Sequence, residues 1–471
     1  MSIDTGIVPD ELKFTKVKPL YKKNSRLDAG NYRPVSILCI LSKILERAVY
    51  VQIEDYLNKN ELLYANQSGF RKSYSTDTCL IDLIDNIRAN IANGNYVGMV
   101  LLDLQKAFDT VDHDILCQKL EAMGIDFTDW FKSYLTNRKQ VVIANDTMSE
   151  TQTVTCGVPQ GSILGPLLFL CYVNDMPISV QCKLLLYADD SALLVEGKDP
   201  NLIAETLSNE LNSCRHWLID NKLSLHLGKT EAILFGSKKR LKKVNSFNVK
   251  CGEVEIKNVN SVKYLGIQLD DNLTGYSIVN GILEKANSRL KFLYKYKEML
   301  IFNARKTLCS ALIQCHFDYA CSSWYPAIST ALRNKLQVMQ NKMIRFILCL
   351  DNRSHIGNDE LTKAGFLKTS DRVKQLKLGH VFKIRNKISP KYMFTHFKCL
   401  EDMDNRNITR ATAYNFHVPK INSHSAKTFY YTAITEWNAL PSSLKEKMSE
   451  SMFKDRLKQL LIIMAKEEEE R

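Results

Sequence analysis

At 471 residues the chain can bury several cores, and length alone suggests roughly two to four domains. A formal charge of +13 and a pI near 9.0 favour a polyanionic partner, nucleic acid first, although a basic balance also serves solubility. The thirteen cysteines stand singly, with no paired spacing that suggests a disulfide framework, and fit small core residues in a reducing compartment.

No secretory signal stands at Met1, so the protein is expected inside the cell, in nucleus and/or cytoplasm, and not secreted. Lys13 to Lys23 is basic and leads to Asn31-Tyr32-Arg33-Pro34. Its cations either clamp a triphosphate or form a solvated loop, since lysine and arginine both donate to phosphate oxygens. Leu41, Ile44, Ala48 and Val51 recur at helical spacing. Asn66-Gln67-Ser68-Gly69-Phe70-Arg71-Lys72 reads as a polar turn with two cations. Thr76 is expected to cap a helix with Leu80, Leu83, Ile84, Ile87 and Ile91 on its apolar face and Gly94 at its end.

Val97 to Leu104 is almost continuously apolar, as suits a strand covered on both faces, and carries Asp103 near its end. An acid there is either a helix cap or a metal ligand. A helix should begin within Asp109 to His113, turn Ile115, Leu116 and Leu120 inward, and stop at Gly124. Phe108, between strand and helix, is at minimum a core aromatic, and His113 caps or packs locally. Trp130 to Val142 reads as an amphipathic segment and turn ahead of a strand pair. In Gly157-Val158-Pro159-Gln160-Gly161-Ser162 the glycines permit close approach of the backbone to a ligand, and Ser162 can cap the next helix. That helix carries the longest apolar run, Ile163 to Val173, which is too short for a bilayer and contains Pro166.

In Lys183 to Val195 two strand-length apolar runs flank Asp189 and Asp190, which predicts a β-hairpin with the acids at its tip. The tip is either an ordinary turn with solvated acids or a site whose paired carboxylates need a cation. Asp103 from a neighbouring strand end would complete the acids that two-metal phosphoryl transfer requires around ions roughly 3.5–4 Å apart.

Asp199-Pro200 opens a helix with Ile203, Leu207, Leu211, Cys214 and Leu218 buried. Leu223 to Leu227 is strand-like, Gly228-Lys229-Thr230 follows, and Ala232 to Phe235 is a further strand. Alternating strands and helices with acids at strand ends indicate an α+β fold. The cluster Ser237 to Lys243 is a localisation signal, a phosphate-contacting loop or a solvated loop. Within Val262 to Leu269, Gly266 permits close approach of another backbone. Ile282 to Leu350 is helical, and its interleaved cations and aromatics suit a surface lying along a duplex. Cys309, Cys315, His316 and Cys321 lack paired zinc spacing, and Glu467 to Glu470 should fray.

Tyr187-Ala188-Asp189-Asp190 resembles the catalytic signature of reverse transcriptases, and Leu102 to Asp109 resembles their first catalytic motif. Gly157 to Ser162 resembles the motif between them. Their order is most similar to the polymerases of LINE-type (non-LTR) retrotransposons of the jockey-like group, from about Val17 to about Leu350. The resemblance implies an α+β right-hand polymerase of fingers, palm and thumb with a helical C-terminal region. Its divisions would be 1–96 partial fingers, 97–270 palm with a primer-grip hairpin, 271–350 thumb and 351–471 of unknown role. The activity implied is RNA-directed DNA polymerisation with RNA template, DNA primer and dNTPs as partners and no membrane.

Two Mg²⁺ ions, with Mn²⁺ able to substitute, would sit on Asp103, Asp189 and Asp190. Asp190 is the least secure direct ligand, because adjacent turn residues rarely point the same way. The resemblance places Lys22, Lys23, Arg33, Gln160 and Gly161 at the incoming nucleotide, with Phe108 as the steric gate against a 2′-hydroxyl. It places Arg71 and Tyr187 at template and primer, Leu265 and Gly266 at the primer terminus, and Lys229 as proton donor to pyrophosphate. Trp437-Asn438-Ala439-Leu440-Pro441 resembles a segment near the end of these proteins. Such proteins carry an endonuclease and further finger segments ahead of this region, so a truncated copy or incomplete gene model is expected. The competing expectations are a non-catalytic nucleic-acid-binding relic and a group II intron maturase-like splicing factor.

Overall fold

The computed structural model describes residues 2–400, 414–420 and 425–469. β1 (Phe14–Tyr21) pairs antiparallel with β2 (Tyr32–Ile37), placing Leu20 opposite Arg33. α1 (Ile40–Lys59) follows, then α2 (Thr76–Ala92). Ser75, one residue earlier than expected, caps α2: its hydroxyl accepts from the Thr78 N–H while Thr78 Oγ1 accepts from the Ser75 N–H. Thr78 lies three residues after Ser75, the spacing such a reciprocal cap needs.

β3 (Tyr96–Leu102) is apolar along its length because both faces are covered. Val97 and Met99 enter one core with Leu83, Ile84 and Ile87 of α2, while Tyr96, Val100 and Leu102 enter another. α3 (His113–Ala122), capped by Asp112, and α4 (Thr128–Leu135) lead to β4 (Lys139–Ala144). β4 returns to pair in parallel with β1, Phe14 opposite Lys139, so the first sheet joins segments over a hundred residues apart. α5 (Leu164–Tyr172) is buried at every residue except Pro166.

β5 (Lys183–Tyr187) and β6 (Asp190–Gly197) form the expected hairpin, and α6 (Pro200–Asp220) crosses β3 with Ile203 and Leu207 against Gly98. Leu223 to Leu227 is not a strand. It forms an isolated bridge at Leu225 to Leu104, and the His226 N–H donates to the Asp103 carbonyl at 2.7 Å, so the segment props up the end of β3. β7 (Glu231–Phe235) and β8 (Lys257–Asn258) complete the second sheet, ordered β8-β7-β3-β6-β5. β3 runs antiparallel to both neighbours, with Leu102 opposite Ser191 and Leu101 opposite Glu231. One sheet edge therefore collects Asp103, Asp190 and the Lys229–Glu231 segment.

β9 (Ser261–Tyr264) and β10 (Ile267–Asp270) form a separate hairpin. The helical region beyond includes α7 (Tyr276–Tyr294), α8 (Phe302–Cys309) and α9 (Thr330–Leu348), whose core is continuous with Val97 and Met99. α10 (Thr369–Arg385), α11 (Phe429–Asn438) and α12 (Glu450–Glu469) build a third core around Phe382, Trp437 and Phe453, and Ile81 of α2 joins it. The buried Asp85 carboxylate on α2 caps α11, accepting from the Phe429 and Tyr430 N–H groups at 2.9 Å each. Trp437 is thus a core residue. The acidic tail stays helical through Glu469, whose carboxylate accepts from the Asn358 N–H at 3.2 Å; Glu470 lies outside the described residues. Among the described residues no helix is long and apolar enough to cross a membrane.

Candidate active site

Pairing of β5 and β6 ends at Tyr187 opposite Asp190, leaving Ala188 and Asp189 as a two-residue turn. Ala188 has φ +56°, a conformation in which glycine is usual at such turns. Residues 66–69 hold it there. The Ser68 N–H donates to the Leu186 carbonyl at 2.8 Å and the Leu186 N–H to Asn66 at 3.1 Å. Gln67 Oε1 accepts from both the Gly69 N–H (2.8 Å) and the Ala188 N–H (3.1 Å). A Cβ on Gly69 would lie 2.3 Å from the Ala188 nitrogen, so only glycine fits. Sequence reading singled out neither residue.

Asp103 follows β3, and its Oδ2 receives Lys229 Nζ at 3.3 Å. A cavity of about 280 Å³ opens here, lined by Asp103, Asp190, Lys229, Glu231, Lys263 and the Leu265–Gly266 turn. Desolvation first, then the charges of Asp189 and Asp103, push the Asp190 carboxyl above the usual range, while Lys22 pulls it down. Asp189 sits at the exposed tip and is not part of that lining. Asp190, the first residue of β6, lines the cavity. Among the described residues no three acidic, histidine or cysteine side chains are grouped closely enough to hold a metal ion. Asp103, paired to Lys229, and Asp190 line the opening, and Asp189 stands beside it at the hairpin tip, close enough for its charge to act on Asp190.

Leu265 and Gly266 have φ +42° and +83°, and Tyr319 Oη donates to the Leu265 carbonyl at 2.6 Å, bracing the turn from the helical region. Lys263, on the same hairpin, adds a cation that sequence reading did not single out. Tyr187 is half-buried at the end of β5.

In the 157–162 loop the glycines sit close to neighbouring backbone. A Cβ on Gly157 would lie 2.6 Å from the Asp109 carbonyl oxygen, and one on Gly161 would lie 2.5 Å from that of Ser36. Their close contacts are with this chain's own backbone. The Ser36 N–H donates to the Gln160 carbonyl at 2.7 Å, joining this loop to β2, and Gln160 Nε2 donates to Asp109 Oδ1 at 2.9 Å. Ser162 Oγ does cap α5, accepting from the Gly165 N–H at 2.8 Å. His113 Nε2 pairs with the Gly157 carbonyl at 2.8 Å, a local packing role. Glu46, also missed, is buried and accepts from Tyr134 Oη (2.8 Å) and the Ile163 N–H (2.6 Å), tying α1 to this loop.

Phe108 is half-buried, stacked on Phe169 at 4.4 Å and edge-on to Phe70 at 6.0 Å. Lys22, Lys23 and Arg33 are exposed. Arg71 is turned inward: its Nη1 donates to the Tyr64 (2.8 Å) and Gln67 (3.2 Å) carbonyls, and its guanidinium lies 4.2 Å from the Tyr74 ring centroid. It braces the turn that bears Gln67.

The sequence profile of the reverse transcriptase (RNA-dependent DNA polymerase) family matches residues 21–269. The chain belongs to that family. The match runs from the end of β1 into β10 and contains all three acids, and the sheets and helical region are those of a right-hand polymerase. Among curated relatives, the chain is 27% identical over 374 residues to the probable RNA-directed DNA polymerase from transposon X-element of Drosophila melanogaster, covering 78% of this chain and 39% of that one. It is also 27% identical over 333 residues to the RNA-directed DNA polymerase from mobile element jockey of Drosophila funebris, covering 68% and 36%. The jockey-type, non-LTR resemblance holds, and this reverse transcriptase chain spans about two fifths of the length of these relatives. Telomerase from Candida tropicalis with a fragment of telomeric RNA is similar at TM-score 0.41 and 12% identity, over 79% of this chain and 65% of that one.

Proposed function

We propose that this chain is the polymerase of a non-LTR retrotransposon, extending a DNA primer on an RNA template with dNTPs. The observation that carries the reading is the single opening onto which Asp103, Asp190, Lys229 and the Leu265–Gly266 turn converge, inside the family match. Oxygen donors suit a hard divalent cation; burial first and then the charges of Asp189 and Asp103 raise the Asp190 carboxyl, and a cation would relieve the repulsive part. Asp103, Asp189 and Asp190 are not grouped closely enough as they stand and would have to draw together to hold two Mg²⁺ ions, with Mn²⁺ able to substitute. Bound there, such ions supply charge neutralisation on the triphosphate and the primer hydroxyl.

The chain's own groups do the rest. Lys22, Lys23 and Arg33 offer donors to the triphosphate; the charge of Lys22 already reaches Asp190. Gln160 and Gly161 floor the nucleotide site and Phe108 meets its sugar. Leu265, Gly266 and Tyr187 seat the primer end. Arg71 acts on the template through the turn it braces. Lys229 Nζ hands a proton to departing pyrophosphate, a role its 3.3 Å approach to Asp103 supports. No disulfide joins any of the cysteines among the described residues, in keeping with work inside the cell, in nucleus and/or cytoplasm. Extension of oligo(dT) on poly(rA) with dTTP and Mg²⁺ tests the proposal. RNA binding without extension would leave a nucleic-acid-binding relic.

A further inference from the structure

The sheet that carries the acids has a second, oppositely charged edge. Because β3 is antiparallel to β6 and β7, the start of β3 and the ends of its neighbours meet there: Tyr96, Lys198 after β6, and Arg240 after β7. Seven residues separate Tyr96 from Asp103, which puts this edge roughly 20 Å from the acids at strand rise. A cavity of about 440 Å³ opens between them, and no acidic residue lines it. Lys198, Arg240 and Lys243 supply its charge, and Asn201, Asn245 and Ser246 add neutral polar groups. Among the described residues neither Lys198 nor Lys243 takes part in an ion pair. The neighbouring Asp199 carboxylate accepts from the Asn201 N–H at 2.9 Å as the cap of α6 and does not line the cavity.

We infer that this cavity is a second nucleic-acid site, taking the sugar–phosphate backbone of a single RNA strand outside the polymerase cleft. Three cations with amide and hydroxyl groups and no competing acid form the usual partner set for phosphodiester oxygens. Lys238, Lys239 and Lys242 extend the positive surface beside it. A receptor for extended basic peptides is the other reader of such a cluster, and the geometry disfavours it. Lys238–Leu241 is helical, the Arg240 guanidinium lies 4.7 Å from the Tyr96 ring centroid, and Tyr96 Oη donates to the Arg240 carbonyl at 3.1 Å. Such a receptor would have to strip this segment off the sheet.

The test is anisotropy of a labelled single-stranded RNA titrated with the full chain over a salt series, comparing wild type with Lys198→Gln/Lys243→Gln. Losing two phosphate contacts should lower the magnitude of the log–log salt slope by about 1.4 and weaken affinity at least several-fold at low salt. Extension of a short oligo(dT) on poly(rA) should keep its kcat, which separates this site from the polymerase reading. Lys239→Gln/Lys242→Gln, beside the cavity, should have the smaller effect. An unchanged slope, an equal loss from the flanking pair, or lost import-receptor binding with RNA affinity intact would each overturn the inference.

Discussion

Gln67→Leu should cripple the polymerase while leaving most of its structure intact. Gln67 Oε1 is the acceptor for two N–H groups, those of Gly69 and Ala188, and Ala188 holds the left-handed turn before Asp189 and Asp190. Leaving two buried N–H groups without acceptors costs about 2–6 kcal/mol, at about 1–3 each. Gln67 Nε2 is itself buried without a partner, so its removal returns about 1–3 kcal/mol. A net loss of about 1–3 kcal/mol is expected, which a melting curve of the full chain will register as a modest shift. The effect on turnover should be larger, because a displacement of about 1 Å in a reacting group can cost about a hundredfold. Single-turnover extension of oligo(dT) on poly(rA) should therefore slow about a hundredfold, with affinity for the hybrid unchanged. Gly69→Ala should do the same by contact, since its Cβ would lie 2.3 Å from the Ala188 nitrogen. Wild-type turnover and melting in Gln67→Leu would refute the claim that this residue sets the turn.

Phe108→Ala should raise ribonucleotide incorporation relative to deoxyribonucleotide, read as the ratio of the two kcat/KM values. A fall in both rates at constant ratio would leave Phe108 as the packing partner of Phe169 alone. Burial raises the Asp85 carboxyl to about 7, so the folded chain holds a proton that the unfolded chain, titrating near 4, releases. That component of stability declines as pH rises from about 4 to about 7 and is flat beyond. The stability of wild type relative to Asp85→Asn should therefore fall across this window in paired melting curves, and a pH-independent difference would refute it.

The acids were legible because two apolar strands around Asp189-Asp190, and a third ending at Asp103, leave few other folds for those segments. Their surroundings were not, since Lys229, Glu231 and Lys263 reach that end of the sheet from segments far along the chain. Glycines announce close approach without naming the neighbour, and at Gly157 and Gly161 the neighbour is Asp109 and Ser36. Gln67 and Glu46 look like surface polar residues in sequence. They are buried because donors arrive from distant segments: Ala188 for the first, Tyr134 and Ile163 for the second. The parallel pairing of β1 with β4 has the same cause. Leu223 to Leu227 alternates like a strand yet forms only one bridge, because its N–H and C=O groups are spent propping the Asp103 segment. The C-terminal region showed helices but no role until Ile81 and Asp85 of α2 supplied its docking face.

The central claim is that one acidic opening at the edge of the second sheet transfers nucleotides, and Asp103→Asn addresses it most directly. Asparagine keeps the volume of the side chain while removing its charge. Wild type should extend oligo(dT) on poly(rA), and the variant should show no extension with hybrid affinity nearly unchanged. Near-normal extension by Asp103→Asn alongside an active wild type would contradict the account.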